Sequence, residues 1–247
     1  MLIAKQAMPT GQLLMELLRE KGMKFGSLER ASAVVCYGVQ YAGELPVLNG
    51  AAGARNKLEE LRAIATAGVA TIPFSLHMEQ GMRFPILGRK LRHHSGTDIR
   101  VLFDPEDMQI YGPRFDFFTQ FLPSDIEMRL WVYRNSFLAA YEKVLAHPQE
   151  KTRFGRSAYN GYAFELRPGL LQRDRGLAQL GIAAVRAVGL DFGAVDVIHK
   201  IGDTRQPWRV LEVNSAPGVE GPRVGLTALA KKIVAWEKAG FPTRQHV

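Results

Sequence analysis

A single cysteine, Cys36, stands in 247 residues, so the chain can form neither an internal disulfide nor a multi-thiolate zinc site, and a reducing, cytoplasmic setting is expected. Cys36 itself reads as a small buried hydrophobe. Long apolar runs are missing too: nothing approaches the ~18 residues a membrane helix needs. The opening Met1-Leu2-Ile3-Ala4-Lys5-Gln6 lacks a basic head followed by an apolar stretch, which argues against a secretory signal. There is no internal repeat, low-complexity tract or run of like charge. Neither Gly-x-x-x-x-Gly-Lys-Ser/Thr nor Gly-x-Gly-x-x-Gly occurs, which leaves phosphate-loop and dinucleotide folds without support. With 47% hydrophobic and 23% charged residues, the composition is ordinary for a globular protein with a sizeable core, as one large domain or two small ones.

Positive charge is what the sequence has in excess, a net +8, and it is concentrated. Arg83, Arg89, Lys90, Arg92 and Arg100 face only Asp98 over residues 83–100, and seven Lys/Arg face three acids over residues 143–175, so each segment carries +4 and the remainder cancels. Two such segments either line a pocket for a polyphosphate or form a stripe for a nucleic-acid backbone.

The periodicity gives a mixture of helices and strands. Helices are expected over Gln12–Lys21, from Lys57 to a stop at Gly68, and over Leu177–Val188; the second opens with Asn56 as N-cap and Glu59 at the capping-box position. Strands are expected at 33–37, 69–72, 85–87 and 99–103, with a polar loop at His93-His94-Ser95-Gly96-Thr97-Asp98. The two histidines lack a zinc-spaced partner and read as loop. Two hairpins follow, Ile126–Tyr133 with Phe137–Val144, and Gly193–His199 with Trp208–Val213. The class is α+β or mixed α/β.

The second hairpin carries the most chemistry. Centred near Thr204, it places Asp196 opposite Glu212, and strand alternation puts Asn214 on the same face. Facing carboxylates repel unless a cation lies between them or both meet solvent on an edge. Two carboxylates and an amide are hard oxygen donors of the kind Mg2+ uses beside water and phosphate. Trp131 and Tyr133 alternate with Glu127 and Arg129 on one strand face; core packing is the plainer reading, stacking on a base the other. Lys57 on its own reads as an exposed helix lysine. Adjacent Arg89 and Lys90 on a strand point to opposite faces, which leaves one of them, Arg89 by preference, for phosphate.

The stretches Gly189-Leu190-Asp191-Phe192-Gly193-Ala194-Val195-Asp196-Val197 and Leu211-Glu212-Val213-Asn214-Ser215-Ala216-Pro217-Gly218 resemble the C-terminal core of ATP-grasp enzymes, and most of all ribosomal-protein glutamate ligases and their small, often phage-encoded relatives. The resemblance runs from about Asn49 to Gly225. It implies two α+β lobes gripping ATP, with a short α/β region at 1–55, a small lobe at 56–122 with a mobile loop near 92–98, and a C-terminal lobe at 123–247 holding the metal hairpin. Lys57 and Arg89 or Lys90 would meet ATP phosphates, Gln120, Phe121 and Leu122 would form the adenine-binding hinge, and Glu127 would bind ribose. Arg129 matches the acid-x-Arg pattern, and Arg156 and Asn160 resemble the Arg and Asn of the ribosomal-protein branch. Asp196, Glu212 and Asn214 would hold Mg2+, or Mn2+ in its place. The implied activity is an ADP-forming carboxylate–amine ligase that passes through an acyl phosphate, with Arg129 and Arg156 stabilising it. The alternative is a nucleic-acid-binding protein on an inactive ATP-grasp scaffold. No membrane partner is expected.

Overall fold

The computed structural model describes residues 2–4, 9–77, 82–91, 99–146, 156, 160–170, 174–205, 207–219 and 221–242. The chain begins with a parallel three-stranded sheet, ordered β1 (Leu2–Ala4), β2 (Val34–Tyr37), β3 (Val47–Leu48), with α1 (Pro9–Glu20) between its first two strands. All four residues of β2 are buried, as a central strand covered on both faces requires. The next helix, α2 (Lys57–Thr66), starts where the capping box places it. Asn56 Oδ1 accepts from Glu59 N at 3.0 Å and Glu59 Oε2 accepts from Asn56 N at 2.8 Å, and Gly68 follows the helix at φ 73°.

The strand expected at 69–72 does not form. Only Thr71 bridges, in parallel, to Val210, and Pro73, which has no N–H to donate, follows at once. Pairing resumes in a four-stranded antiparallel sheet ordered β4, β7, β5, β6, from β4 (Phe74–Ser75), β5 (Ile86–Arg89), β6 (Ile99–Leu102) and β7 (Phe117–Gln120). A short α3 (Pro105–Tyr111) joins β6 to β7, started by Asp104 Oδ1, which accepts from Asp107 N, and by proline in its first turn. The expected loop at 93–98 lies outside the described residues.

The largest sheet is antiparallel throughout, ordered β10, β9, β8, β11, β12. Its strands are β8 (Ser124–Tyr133), β9 (Ser136–Leu145), β10 (Tyr162–Leu166), β11 (Phe192–Lys200) and β12 (Trp208–Asn214), with α4 (Arg175–Ala187) before β11 and α5 (Val224–Lys238) after β12. Alternation divides its two faces. Met128, Leu130, Val132, Val195 and Val197 pack with Leu177, Ala184 and Val185 of α4. Gly181 lets that helix approach, since a β-carbon there would stand 3.2 Å from the Leu130 side chain. On the opposite face Trp131, Tyr133, Tyr141 and Phe192 pack with α1 and α5, so the two aromatics of β8 are core residues. Further along the same face the row turns polar, at Glu127, Arg129, Lys143, Asp196 and Glu212.

Sequence reasoning left α3, α5 and β10 unread, although Leu226, Leu229, Ala230 and Ile233 of α5 are all buried and their spacing is helical. Among the described residues no helix is long and apolar enough to cross a membrane.

Candidate active site

The hairpin of β11 and β12 has the expected register, Asp196 opposite Glu212 and Ala194 opposite Asn214, with a bulge just beyond Asp196. Asn214 Nδ2 donates to Glu212 Oε1 at 3.1 Å, so the amide and the carboxylate do share a face. Beside Asp196 lies Arg129 of β8, whose Nε and Nη2 donate to the two Asp196 oxygens at 2.8 and 2.9 Å. This is the bidentate fork that guanidinium and carboxylate geometry favours. The Arg129 guanidinium also lies 4.8 Å from the Phe164 ring centroid.

Lys143 of β9 completes the row. Its ammonium donates to Glu127 Oε1 at 2.5 Å and to Asp196 Oδ2 at 2.8 Å, and all three side chains are buried. No motif flagged this lysine. Its one local signal is a charged residue on the inward face of β9, two residues beyond the buried Tyr141.

The sheet row continues into α2. Capping sets Lys57 at the first position of the helix, and its backbone N donates to Leu91 O at 3.1 Å, just past β5. Its ammonium, the exposed-lysine reading notwithstanding, lies between Glu60 Oε2 at 3.1 Å and Glu212 Oε2 at 3.0 Å, with both carboxylates largely buried. Glu60 was also unread. Arg89 is buried with its guanidinium over the Phe117 ring, on the side of β5 that feels Glu212 and Glu60. Lys90 points the other way, 3.5 Å from Asp116 at the surface.

Burial and charge compete at each group. Burial opposes ionisation of Glu212, but Lys57 and Arg89 outweigh it and hold the carboxyl well below its usual range. Asp196 is likewise held down against burial by Arg129 and Lys143. In Glu60 and Glu127 burial wins over the neighbouring lysine and the carboxyls are raised. Lys57 and Lys143 are both raised, because their paired carboxylates outweigh the cost of burying an ammonium.

The remaining expected site residues have other partners. The Gln120 side chain is engaged by a distant stretch of backbone, accepting from Arg83 N at 2.9 Å and donating to Arg83 O at 2.6 Å, so it ties β7 to the entry of β5. Phe121 and Leu122 follow it between the two antiparallel sheets. Arg156 donates to Asp125 O at 3.0 Å and Ser124 O at 2.8 Å, close enough for its charge to act on Glu127. Asn160 lies two residues before β10. The loop after Asn214 is held at both ends by tyrosines. Tyr37 of β2 donates to Pro217 O at 2.5 Å, and Tyr141 donates to Pro222 O at 2.7 Å while accepting from Gly225 N at 2.8 Å.

No family model and no curated protein matches the sequence. Solved structures do match the fold. The ligase PsnB complexed with its minimal precursor superposes with a TM-score of 0.68 at 13% identity, covering 95% of this chain and 98% of that one. A RimK-domain ATP-grasp protein from Sphaerobacter thermophilus gives 0.63 at 17% identity, covering 93% and 97%. The chain has the ATP-grasp fold.

The macrocyclase MdnC bound with its precursor peptide MdnA, from Microcystis aeruginosa, also matches, at a TM-score of 0.61 and 13% identity, over 94% of this chain and 98% of that one. In this chain the polar row crosses the large sheet and meets Arg89 of the small sheet and the start of α2. Lys57, Arg89, Glu127, Arg129, Asp196, Glu212 and Asn214 thus gather at one junction, with Lys143 and Glu60 added and Lys90 left outside. Among the described residues no three His, Cys, Asp or Glu side chains group to hold a metal by themselves. Two ionised carboxylates and an amide nevertheless fit Mg2+, which takes one or two protein carboxylates and fills the rest of its octahedron with water and phosphate.

Proposed function

We propose that the protein is an ADP-forming ATP-grasp ligase that joins a carboxylate, on an amino acid, peptide or protein, to an amine. The observation that carries this reading is the row of four cations and four carboxylates at the junction of the two antiparallel sheets. Lys57, Arg89 and Lys143 take the triphosphate, the backbone of Gln120, Phe121 and Leu122 meets adenine, and Glu127 takes the ribose. Asp196, Glu212 and Asn214 would hold Mg2+, which supplies positive charge to phosphate oxygens during transfer.

A free carboxylate is a poor electrophile. Its oxygen attacks the γ-phosphorus, ADP leaves, and the acyl phosphate then accepts the amine, with phosphate as second leaving group and the amine proton passing to solvent. Arg129 and Arg156 stabilise the charge that develops on the acyl phosphate and its tetrahedral successor, and Asn160 supports them. The neighbours' substrates favour the same class: PsnB and MdnC were solved with precursor peptides, and a D-alanine–D-alanine ligase shares the fold. The basic excess does not favour a nucleic-acid stripe, because Lys143 is buried and Arg167 is paired with Glu142 and Glu165.

Incubation with ATP, candidate carboxylates and hydroxylamine is expected to give ADP, phosphate and a hydroxamate. AMP and pyrophosphate would refute the mechanism. Arg156→Lys keeps the charge but loses the fork, so it should bind ATP yet turn over about 10²-fold more slowly, the scale of one lost oxyanion donor. Hydroxamate formed equally fast by that variant would remove Arg156 from its role. Glu127→Ala should weaken ATP binding more than any side-chain change at Phe121, whose contribution is backbone; isothermal titration of both variants decides it.

A further inference from the structure

Every carboxylate in the site already holds a cation that the proposed function assigns to the nucleotide or its acyl phosphate. Glu212 and Glu60 share the Lys57 ammonium at 3.0 and 3.1 Å. Asp196 takes the Arg129 fork and, at 2.8 Å, Lys143, whose other side is taken by Glu127 at 2.5 Å. Lys57, Arg89, Arg129 and Lys143 therefore stand against Glu60, Glu127, Asp196 and Glu212, and the row is formally neutral.

We infer that this self-neutralised row makes the site discriminate against metal-free nucleotide, with Glu60 and Glu212 as the residues that set the discrimination. The inference rests on the ATP reading above and goes beyond it. For a bare triphosphate to reach Lys57, two largely buried ion pairs must open. The released carboxylates then lie beside the incoming phosphates, unpaired and repelled, which is the costly outcome for a buried ion pair that loses one partner. A nucleotide that arrives with a divalent cation brings a replacement counter-ion. Glu212 then exchanges one positive partner for another and Lys57 turns to phosphate, while Glu60, one helical turn away on α2, remains to orient it.

Glu60 and Glu212 thus play different parts, and their removal has different signatures. Glu212→Gln frees Lys57 but deletes a metal donor, so metal-free ATP binds more tightly and the magnesium complex more weakly. Glu60→Gln leaves the metal donors intact and removes one of the two carboxylates that a metal-free triphosphate leaves unpaired, so both forms bind more tightly and the metal-free form gains more. Both substitutions are nearly isosteric and leave the capping box of α2 untouched.

The test is isothermal titration of the whole chain with the non-hydrolysable analogue AMPPNP, once in EDTA and once as its magnesium complex, after thermal unfolding has verified that each variant is folded. The wild-type protein is expected to bind the metal-free nucleotide at least about tenfold more weakly, the scale of one hydrogen bond to a charged group. Glu212→Gln is expected to narrow that gap from both sides. Equal wild-type affinity for the two forms would overturn the inference and leave the ATP reading standing. Binding of neither form would overturn both. If one variant does not fold, the other decides: Glu60→Gln with unchanged affinity for metal-free AMPPNP, or Glu212→Gln with weaker affinity for it, is fatal to the inference.

Discussion

Lys143→Met should cost about 3–5 kcal/mol of folding stability, the scale of a buried ion pair that loses one partner, and should abolish nucleotide binding. The methionine fills the volume of the lysine stem, so the loss is electrostatic. The ammonium is shared by Glu127 and Asp196, and all three residues are less than a tenth exposed. Without it Glu127 has lost its ion-pair partner and Asp196 keeps only the Arg129 fork. Urea unfolding measures the loss. A second substitution separates charge from packing: adding Glu127→Gln to Lys143→Met removes the orphaned carboxylate and should restore part of the stability but none of the ATP affinity. A loss below about 1 kcal/mol in the single variant, the range of exposed pairs, would mean that water reaches the row freely and that the network does not organise the site.

Asn49→Ala should be as damaging, far from any phosphate. Asn49 is fully buried just after β3, at φ 62°. Its Oδ1 accepts from Asp191 N and Phe192 N at 2.8 and 2.9 Å, and its Nδ2 donates to Phe192 O at 2.8 Å. One amide therefore ties the N-terminal sheet to the start of β11, the strand that carries Asp196. Alanine leaves three buried backbone groups without partners, at about 1–3 kcal/mol each, and adds roughly 1–2 kcal/mol for a left-handed conformation that asparagine tolerates better. The sum is about 4 kcal/mol or more, a large part of the ~5–15 kcal/mol typical of a whole domain. Asn49→Gly relieves the backbone alone and should recover only the smaller share. A melting temperature for Asn49→Ala within a few degrees of wild type would contradict this account.

Features governed by short-range rules were legible in the sequence. The capping box at Asn56 and Glu59 needs only four consecutive residues to form. The opposition of Asp196 and Glu212 is close to what a turn position and the two-residue period of a strand give, but the bulge lies between the pair and the turn, where Val197 faces Val210, and its one-residue shift is what sets Glu212 rather than Leu211 against Asp196. Arg89 and Lys90 face opposite ways for the same reason, and burial against Phe117 decided which one turns inward. The aromatic side chains of Trp131 and Tyr133 could suit either a base or a core; the helices packed against them made them core.

Gln120 marks the edge of that legibility. It ends β7 just before the chain passes to the large sheet at β8, and its side chain is spent on the backbone of Arg83 and Pro85, partners more than thirty residues away. The strand expected at 69–72 failed in the opposite direction: its apolar pattern suits a strand, yet a strand exists only where a neighbour supplies hydrogen bonds, and there β12 offers one bridge before Pro73 intervenes.

By itself, then, the sequence determined the class of the fold, the start of α2, the pairing of β11 with β12 and the sign of the charges around Asp196 and Glu212, because each depends on periodicities and spacings internal to one or two elements. Only the tertiary structure decided that Lys143 lies between Glu127 and Asp196, and that Glu60 and Glu212 clasp Lys57. Those contacts join β8, β9 and β11 in one case and α2 and β12 in the other. Which strands become neighbours, and which end of a helix closes over a sheet edge, is set by the apolar faces that must be covered together. No spacing along the chain encodes that sum, and the charged side chains take partners from wherever burial has put them.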